Sequence, residues 1–283
     1  MRLRRRRRPE AAASEVAFPA YGTLRAVTPR ASVLLQRNPG PMSLEGTNSW
    51  VVGARDAAER ILIDPGEDSE NHPGADHLER LLSAAPSVSV VLLTHGHHDH
   101  SGLAARLHEQ TGVAVRAADP ALCRGGPPLR DGAVVDASGV RLQVLATPGH
   151  TADSVSFVLA GSDDADGAAV FTGDTVLGRG TTVVAHPDGA LGPYLASLRL
   201  LQGLGGARVL PGHGPELDSI GTVAAEYLAH RAERLEQVRS ALQRLGPSAT
   251  AREIVEDVYA DVDPAVWWAA ELSVAAQLDY LRR

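Results

Sequence analysis

"LLTHGHHDHSG", residues 92–102, is the stretch from which the rest of the chain can be read. His95, His97, His98, Asp99 and His100 occupy five of six consecutive positions. They follow "VSVVLLTH", a run of β-branched and aliphatic residues that predicts a strand buried on both faces. "SGLAARLHEQTG" then predicts a helix stopped by Gly112. Placing so many polar and titratable groups at the mouth of a buried strand is costly unless a charge satisfies them. Neutral imidazole and carboxylate are the usual ligands of zinc and related divalent ions. His95 and His97 alternate along an extended segment, so both can point at one ion. The turn into the helix lets Asp99 and His100 face a second point nearby.

This reading demands further ligands at other strand ends. "TPGHT" sets His150 in a tight turn after an apolar run, "FTGDT" sets Asp174 there, and "LPGHG" sets His213 there. The expected assignment is His95, His97 and His150 to one ion, Asp99, His100 and His213 to a second, and Asp174 bridging. His98 is left facing solvent or supporting the ligands, and His72, His77 and His108 are expected on surface helices or loops. The segment after Asp174, "TVLGRGTTVVAHPDGALGPYL", is expected to overhang the metals, with Arg179, Thr181, His186 and Tyr194 as candidate substrate contacts. Asn48 in "EGTNSW" is a further candidate. Cys123, the only cysteine, has no histidine near it in sequence and reads as packing; a single cysteine also excludes an internal disulfide.

Working outward, "SWVVGA" and "RILIDPG" predict strands before the motif, and "DHLERLLSAA" predicts a helix with Asp76 and Glu79 as a capping pair. "VAVRAA", "GAVVDA", "VRLQVLATP", "SVSFVLAG" and "AAVFTGD" predict a series of short strands after it. "GPYLASLRLLQGLG" predicts a helix, and "ARVLPGHG" one more strand. Strands mixed with helices indicate a layered α/β (α+β) protein. From about Val223 the pattern becomes helical. "AAEYLAHRAERLEQVRSALQRLG" is a long amphipathic helix ended by Gly246, Thr250 and Glu253 match a capping box, and Asp263-Pro264 suits the start of a last helix. The expected organisation is an Arg-rich tail at 1–18, a catalytic domain at 19–218 and a small helical domain at 219–283.

The 283 residues carry a net charge of −7, unevenly spread. Six arginines lie in "MRLRRRRRP"; without them 21 basic residues face 34 acidic ones, a net charge of −13. So acidic a body argues against a broad nucleic-acid surface. The basic head lacks the apolar core of a secretory signal and reads as a disordered tail, with weak binding to nucleic acid or a membrane surface as the alternative. No apolar stretch approaches the roughly 18 residues of a membrane span. The composition, without lysine and rich in Ala, Gly, Arg and Pro, points to a GC-rich bacterial source; nothing in the chain needs an oxidising compartment, and a cytoplasmic protein is expected.

The order His95, His97, Asp99, His100, His150, Asp174, His213 resembles the metallo-β-lactamase superfamily over roughly residues 30–215. The resemblance implies a four-layer αβ/βα sandwich with the metal site at one edge of two facing sheets. It also implies that Asp64, in "LIDPG", supports the metal loops from behind; by itself Asp-Pro-Gly is equally a turn. "RNPGPMSLEGTNSWVVG" and the "HRAERLEQV" helix with the segment after it are similar to the β-lactamase-like protein 2 group. Its members include endoribonucleases and carry a small winged-helix-like C-terminal domain. The sequence stops at Leu281-Arg282-Arg283, about where a wing hairpin would begin, so the appendage is expected to be wingless. Trp267 and Trp268 are expected to pack rather than stack on bases.

The function implied is a dinuclear hydrolase. Two divalent ions, zinc first with manganese or iron as alternatives, would activate a shared water against a carbonyl carbon of an ester, thioester, lactone or amide. Asp99 would orient the water and Asp174 would position both ions. Two other readings stay open: a metal-dependent endoribonuclease or phosphodiesterase on single-stranded RNA, and a mononuclear iron oxidoreductase like the persulfide dioxygenases. A DNA-binding regulator fits less well, since the C-terminal helices carry few basic residues. A glyoxalase-II-like thioesterase is disfavoured by the lack of lysine. The expected partner is a small-molecule substrate or single-stranded RNA, with no membrane; a homodimer is left open.

Overall fold

The computed structural model describes residues 21–69, 75–161, 167–260 and 263–282. The Arg-rich head and His72 lie outside them. Eleven strands form two sheets among the described residues. The first has the order β1 (Arg25–Thr28), β2 (Ala31–Leu35), β3 (Asn48–Val52), β4 (Arg60–Ile63), β5 (Val88–Leu92), β6 (Val115–Arg116). The second runs β11 (Arg208–Pro211), β10 (Ala169–Gly173), β9 (Val155–Leu159), β8 (Val140–Ala146), β7 (Val134–Ala137). β4, β5 and β6 pair in parallel, as do β10 and β11, while the other neighbours are antiparallel.

The period of two along the strands builds the layers. Trp50 and Val52, Ile61 and Ile63, and Val90 and Leu92 face the second sheet and meet Leu142, Val144, Phe157 and Phe171. Trp50 stacks edge-on to Phe171 with ring centroids 5.6 Å apart. The intervening residues Val51, Leu62, Val91 and Leu93 face outward and are covered by α1 (His77–Ala84) and α3 (Ala104–Thr111) through Leu78, Leu81 and Leu107. On the far side Val170 and Val209 are covered by α4 (Leu191–Gln202) and the first half of α5 (Ile220–Leu245). The result is the expected αβ/βα sandwich.

α5 then continues beyond the sandwich. Its second half packs Val238 and Ala241 against α6 (Ala251–Val258) and α7 (Trp267–Arg282) through Ile254, Val255, Val274 and Leu278. The Thr250–Glu253 capping box at the start of α6 forms in full. The Asp76–Glu79 cap does not: the Asp76 carboxylate accepts from Arg80 Nε at 2.7 Å, one turn along, and makes no cap bond. Trp267 lies against the α5–α7 cluster, whereas Trp268 is 53% exposed. The described residues after α6 are helical, with no strand among them. No helix among the described residues is long and apolar enough to cross a membrane.

Candidate metal centre

The motif is positioned by the end of β5 and a four-residue helix, α2 (His98–Ser101). The chain stays extended through His97 and turns helical at His98, so His95 and His97 leave in one direction and Asp99 and His100 in another. β8, β10 and β11 end at the same edge of the sandwich and deliver His150, Asp174 and His213.

Ligand-type atoms of His95, His97 and His150 gather within 4.8 Å of one another, as do those of Asp99, His100 and His213. In the first group His97 Nδ1 lies 3.1 Å from His95 Nε2 and 3.0 Å from His150 Nε2. In the second, His213 Nε2 lies 3.1 Å from both His100 Nε2 and Asp99 Oδ2. Asp174 stands between the groups. Its Oδ1 is 3.3 Å from His100 Nε2 and 3.5 Å from His213 Nε2, and its Oδ2 is 3.7 Å from His150 Nε2. The structure thus brings all seven expected side chains together.

The tautomers explain what this convergence requires. His150 Nδ1 donates to the Val183 carbonyl at 2.6 Å, and His213 Nδ1 to the Gly46 carbonyl at 3.0 Å. A carbonyl only accepts, so each Nδ1 carries a proton and Nε2 is the nitrogen left to bind a cation. His100 Nδ1 faces Asp64 Oδ2 at 2.9 Å. Thr94 Oγ1 donates to Asp64 Oδ2 at 2.7 Å, which leaves it to accept from His95 Nδ1 at 3.0 Å. Four imidazoles are therefore oriented with their Nε2 atoms pointed inward. With these inward nitrogens deprotonated, as metal ligands are, lone pairs about 3 Å apart repel unless a cation lies between them, and outer oxygen partners of this kind are how metal-bound histidines are oriented. Asp174 Oδ1 is also buried without a hydrogen-bond partner. The donor set fits divalent metal ions, with Asp174 standing within reach of both groups of histidines.

Electrostatics agree. Burial holds His95 and His150 below the usual histidine range, and neighbouring imidazoles add to this. Burial also opposes charge on His213, but Asp174 and Asp99 outweigh it and lift His213 to about 9. Asp99, Asp174 and Asp64 raise His100 in the same way, against burial. Burial would raise Asp174, yet His213 and His100 hold it well below the carboxylate range, and Asp99 falls to about 2 for similar reasons. The pocket of carboxylates draws in positive charge.

Backbone geometry leaves little slack. Asp64 sits in the left-handed region at φ 53, held there by bonds from Thr94 N, Thr94 Oγ1 and His100. A Cβ on Gly212 would come within 2.6 Å of His100 Cε1 and 2.8 Å of Asp174 Oδ1, so no side chain fits there.

The remaining candidates divide. Arg179 is ion-paired to Glu45, and with Thr181 it lines a cleft of about 300 Å³ that opens at His150 and Asp174. Tyr194 is not a substrate contact: it is wholly buried in α4 and its hydroxyl donates to the Thr175 carbonyl at 2.8 Å. Asn48 is also buried, its amide donating to the carbonyls of Pro211 at 3.1 Å and Gly214 at 2.8 Å. It ties β3 to the His213 loop instead of meeting substrate. His186 is half-buried and is not among the residues lining the cleft. His98 is exposed, with Nε2 3.2 Å from the Asp68 carbonyl. His77, expected at the surface, is buried with Nε2 2.9 Å from Ser49 Oγ. His108 is half-buried, with Nδ1 2.7 Å from the Val113 carbonyl. Thr94 and the Val183 and Gly46 carbonyls escaped sequence reasoning. Thr94 adjoins the motif and was within reach; a carbonyl carries no mark in the sequence.

Residues 42–213 match the metallo-beta-lactamase superfamily, and residues 250–283 match the beta-lactamase associated winged helix domain. A Beta-lactamase-like protein 2 homolog from Caenorhabditis elegans is 32% identical over 245 residues, covering 84% of this chain and 79% of its own. An Atrochrysone carboxyl ACP thioesterase from Aspergillus chevalieri is 33% identical over 257 residues, covering 87% and 78%. Among solved structures, a beta-lactamase domain protein from Burkholderia ambifaria superposes with a TM-score of 0.74 at 25% identity, covering 94% of this chain and 91% of its own. The chain belongs to the metallo-β-lactamase superfamily and is a metal-dependent hydrolase of that fold.

Proposed function

We propose that this chain is a dinuclear hydrolase, zinc-dependent in the first instance, acting on the carbonyl group of an ester, thioester or related small acyl compound. One observation carries the reading. Two three-ligand groups are joined by Asp174, which with His150 lines a cleft of about 300 Å³ whose walls include Met42, Leu44, Leu177 and Ala269. An apolar cleft with a few convergent polar groups suits an acyl compound better than a polynucleotide, which needs a long cationic track. The Aspergillus chevalieri relative, named a thioesterase, adds support.

Divalent ions, when bound, would polarise the substrate oxygen and lower the pKa of water. His95, His97 and His150 would hold one ion, Asp99, His100 and His213 the other, and Asp174 both. Asp64 and Thr94 keep His100 and His95 in the tautomer that presents Nε2. Asp99, 29% exposed at its side chain and so partly open to solvent, is placed to accept a proton from an attacking water. The apolar wall excludes bulk water from the acyl arm.

Metal analysis of the purified protein, followed by a panel of thioester, ester, lactone, β-lactam and single-stranded RNA substrates, tests the proposal. The expected result is two ions per chain and turnover of carbonyl substrates. His97→Ala and Asp174→Ala should stay folded and lose nearly all activity. Cleavage of RNA alone would replace this reading with the phosphodiesterase one; a single iron per chain would favour the oxidoreductase.

A further inference from the structure

One wall of the cleft is made by α5 and α7, and its charge is not that of the rest of the molecule. His230 and Arg231 lie four and three residues before Arg234 on α5, spacings that bring each beside it, and all three line the cleft. We propose that this wall is a subsite for an anionic group, a carboxylate or a phosphate, on the arm of the substrate that runs from the scissile carbonyl toward α5. The inference rests on the hydrolase reading and names the substrate class of the same site.

Arg231 is 5% exposed, yet it is ion-paired to no carboxylate among the described residues. One Nη donates to the Thr182 carbonyl, while Nε is buried without a partner. Its guanidinium lies 5.0 Å from the centroid of the Tyr194 ring, which holds it in place. Arg234 is likewise unpaired with any described carboxylate. It lies 4.7 Å over the Tyr259 ring and donates to the neutral Gln237 side chain at 2.8 Å. His230 Nδ1 is buried without a partner in the same wall. Burial, then Arg231 and Arg234, keep His230 below the usual histidine range, with Glu233 opposing them only in part. Arg179, at the cleft mouth, is already paired with Glu45. Asp174 is the one carboxylate lining the cleft among the described residues, and the metal groups engage it.

A buried guanidinium with an unspent N–H is costly to retain without a counter-charge. In a protein of net charge −7, this wall concentrates arginine where carboxylates elsewhere take it up. An anion from the substrate would supply the counter-charge both guanidinium groups lack, and the apolar residues that share the cleft with them and Asp174 would cover the acyl or thiol chain joining it to the carbonyl. The anion has two sources by chemistry: a carboxylate at the far end of the acyl group, or a phosphate on the thiol or alcohol that leaves.

Two matched pairs separate the sources. Glutaryl and valeryl thioesters of N-acetylcysteamine differ by a terminal carboxylate. Acetyl thioesters of 4′-phosphopantetheine and of pantetheine differ by a phosphate. Calorimetry on analogues with the scissile sulfur replaced by CH2 reads binding to the metal-loaded full chain without turnover, and kcat/KM is measured on the thioesters themselves. The anionic member of at least one pair should bind and react about 10- to 100-fold better, as charge-assisted hydrogen bonds of this kind allow. That preference should fall toward unity in Arg234→Gln, whose partly exposed side chain makes it the safer variant, and in Arg231→Gln where it folds. Equal binding of both members in both pairs overturns the subsite. A preference that survives Arg234→Gln with Arg231→Gln also tolerated does the same. Binding preference without any thioester turnover would sink the hydrolase reading and leave the subsite standing. Displacement of the small anion by a single-stranded oligoribonucleotide that is then cleaved would reassign the arginines to RNA phosphates and overturn the small-molecule assignment.

Discussion

Asp64 shows how a single carboxylate sets the chemistry of groups it never shares a ligand shell with. It fixes His100 directly and His95 through Thr94, so two imidazoles owe their inward lone pairs to one residue. In Asp64→Asn the amide would present a donor to at least one of its partners. Metal affinity is expected to fall 10- to 100-fold, as measured by competition with a chromophoric chelator, and an unchanged affinity would remove Asp64 from the support of the site. His77 is the counterpart outside the site. Burial depresses it to about 3 from an ordinary 6.5. Between those values the unfolded chain binds more protons, so this residue's contribution to stability is complete above about pH 6.5 and lost as pH falls toward 3. The slope reaches at most about 1.4 kcal/mol per pH unit. His77→Gln can still bond Ser49 but cannot titrate, and denaturant melts between about pH 4 and 6 should show a slope shallower by up to one proton. At this scale the ligands are legible because each group of them follows an apolar run, just beyond the end of a strand. His77, Asn48 and Tyr194 were misplaced because their partners, Ser49, Pro211 and Thr175, lie 28, 163 and 19 positions away. Composition and spacing carry no trace of such pairings.

Elements are legible where their signals are local. Gly112 does end α3, with φ 72, and the Thr250–Glu253 box does start α6. Thr250→Ala should cost about 1 kcal/mol, seen as a lowered melting temperature with the metal content unchanged. The signal at Asp76–Glu79 had the same form and failed, because Arg80 offers the carboxylate a charge where the cap offers only an amide. The turn glycines behave differently again. Gly212 lies between two ligands, so Gly212→Ala is expected to fold with displaced His100 and Asp174 and to lose metal, checked by ion content after gel filtration. The strand-end glycines look like ordinary turn punctuation in the sequence; only the assembled site shows that one of them is a packing requirement.

At the scale of the whole molecule, the expected boundary near residue 218 meets a helix that serves both sides. Ile220, Ala224 and Tyr227 of α5 are buried against the second sheet, and Val238 and Ala241 of the same helix against α6 and α7. Tyr227 also accepts the Leu177 amide, in the loop that follows Asp174. A chain cut after residue 218 would bare the Val170–Val209 face and is expected to aggregate rather than yield a minimal enzyme, as its elution on gel filtration would show. The α5 wall of the cleft was legible only as the charged helix "HRAERLEQV"; which of its sides faced the metals depended on how α5 docks.

A helix 26 residues long with each half embedded in a different cluster cannot melt by halves without breaking its own ladder. Two separately named segments should therefore lose their structure together, and a scanning calorimeter should record one endotherm where two sequence matches would suggest a pair.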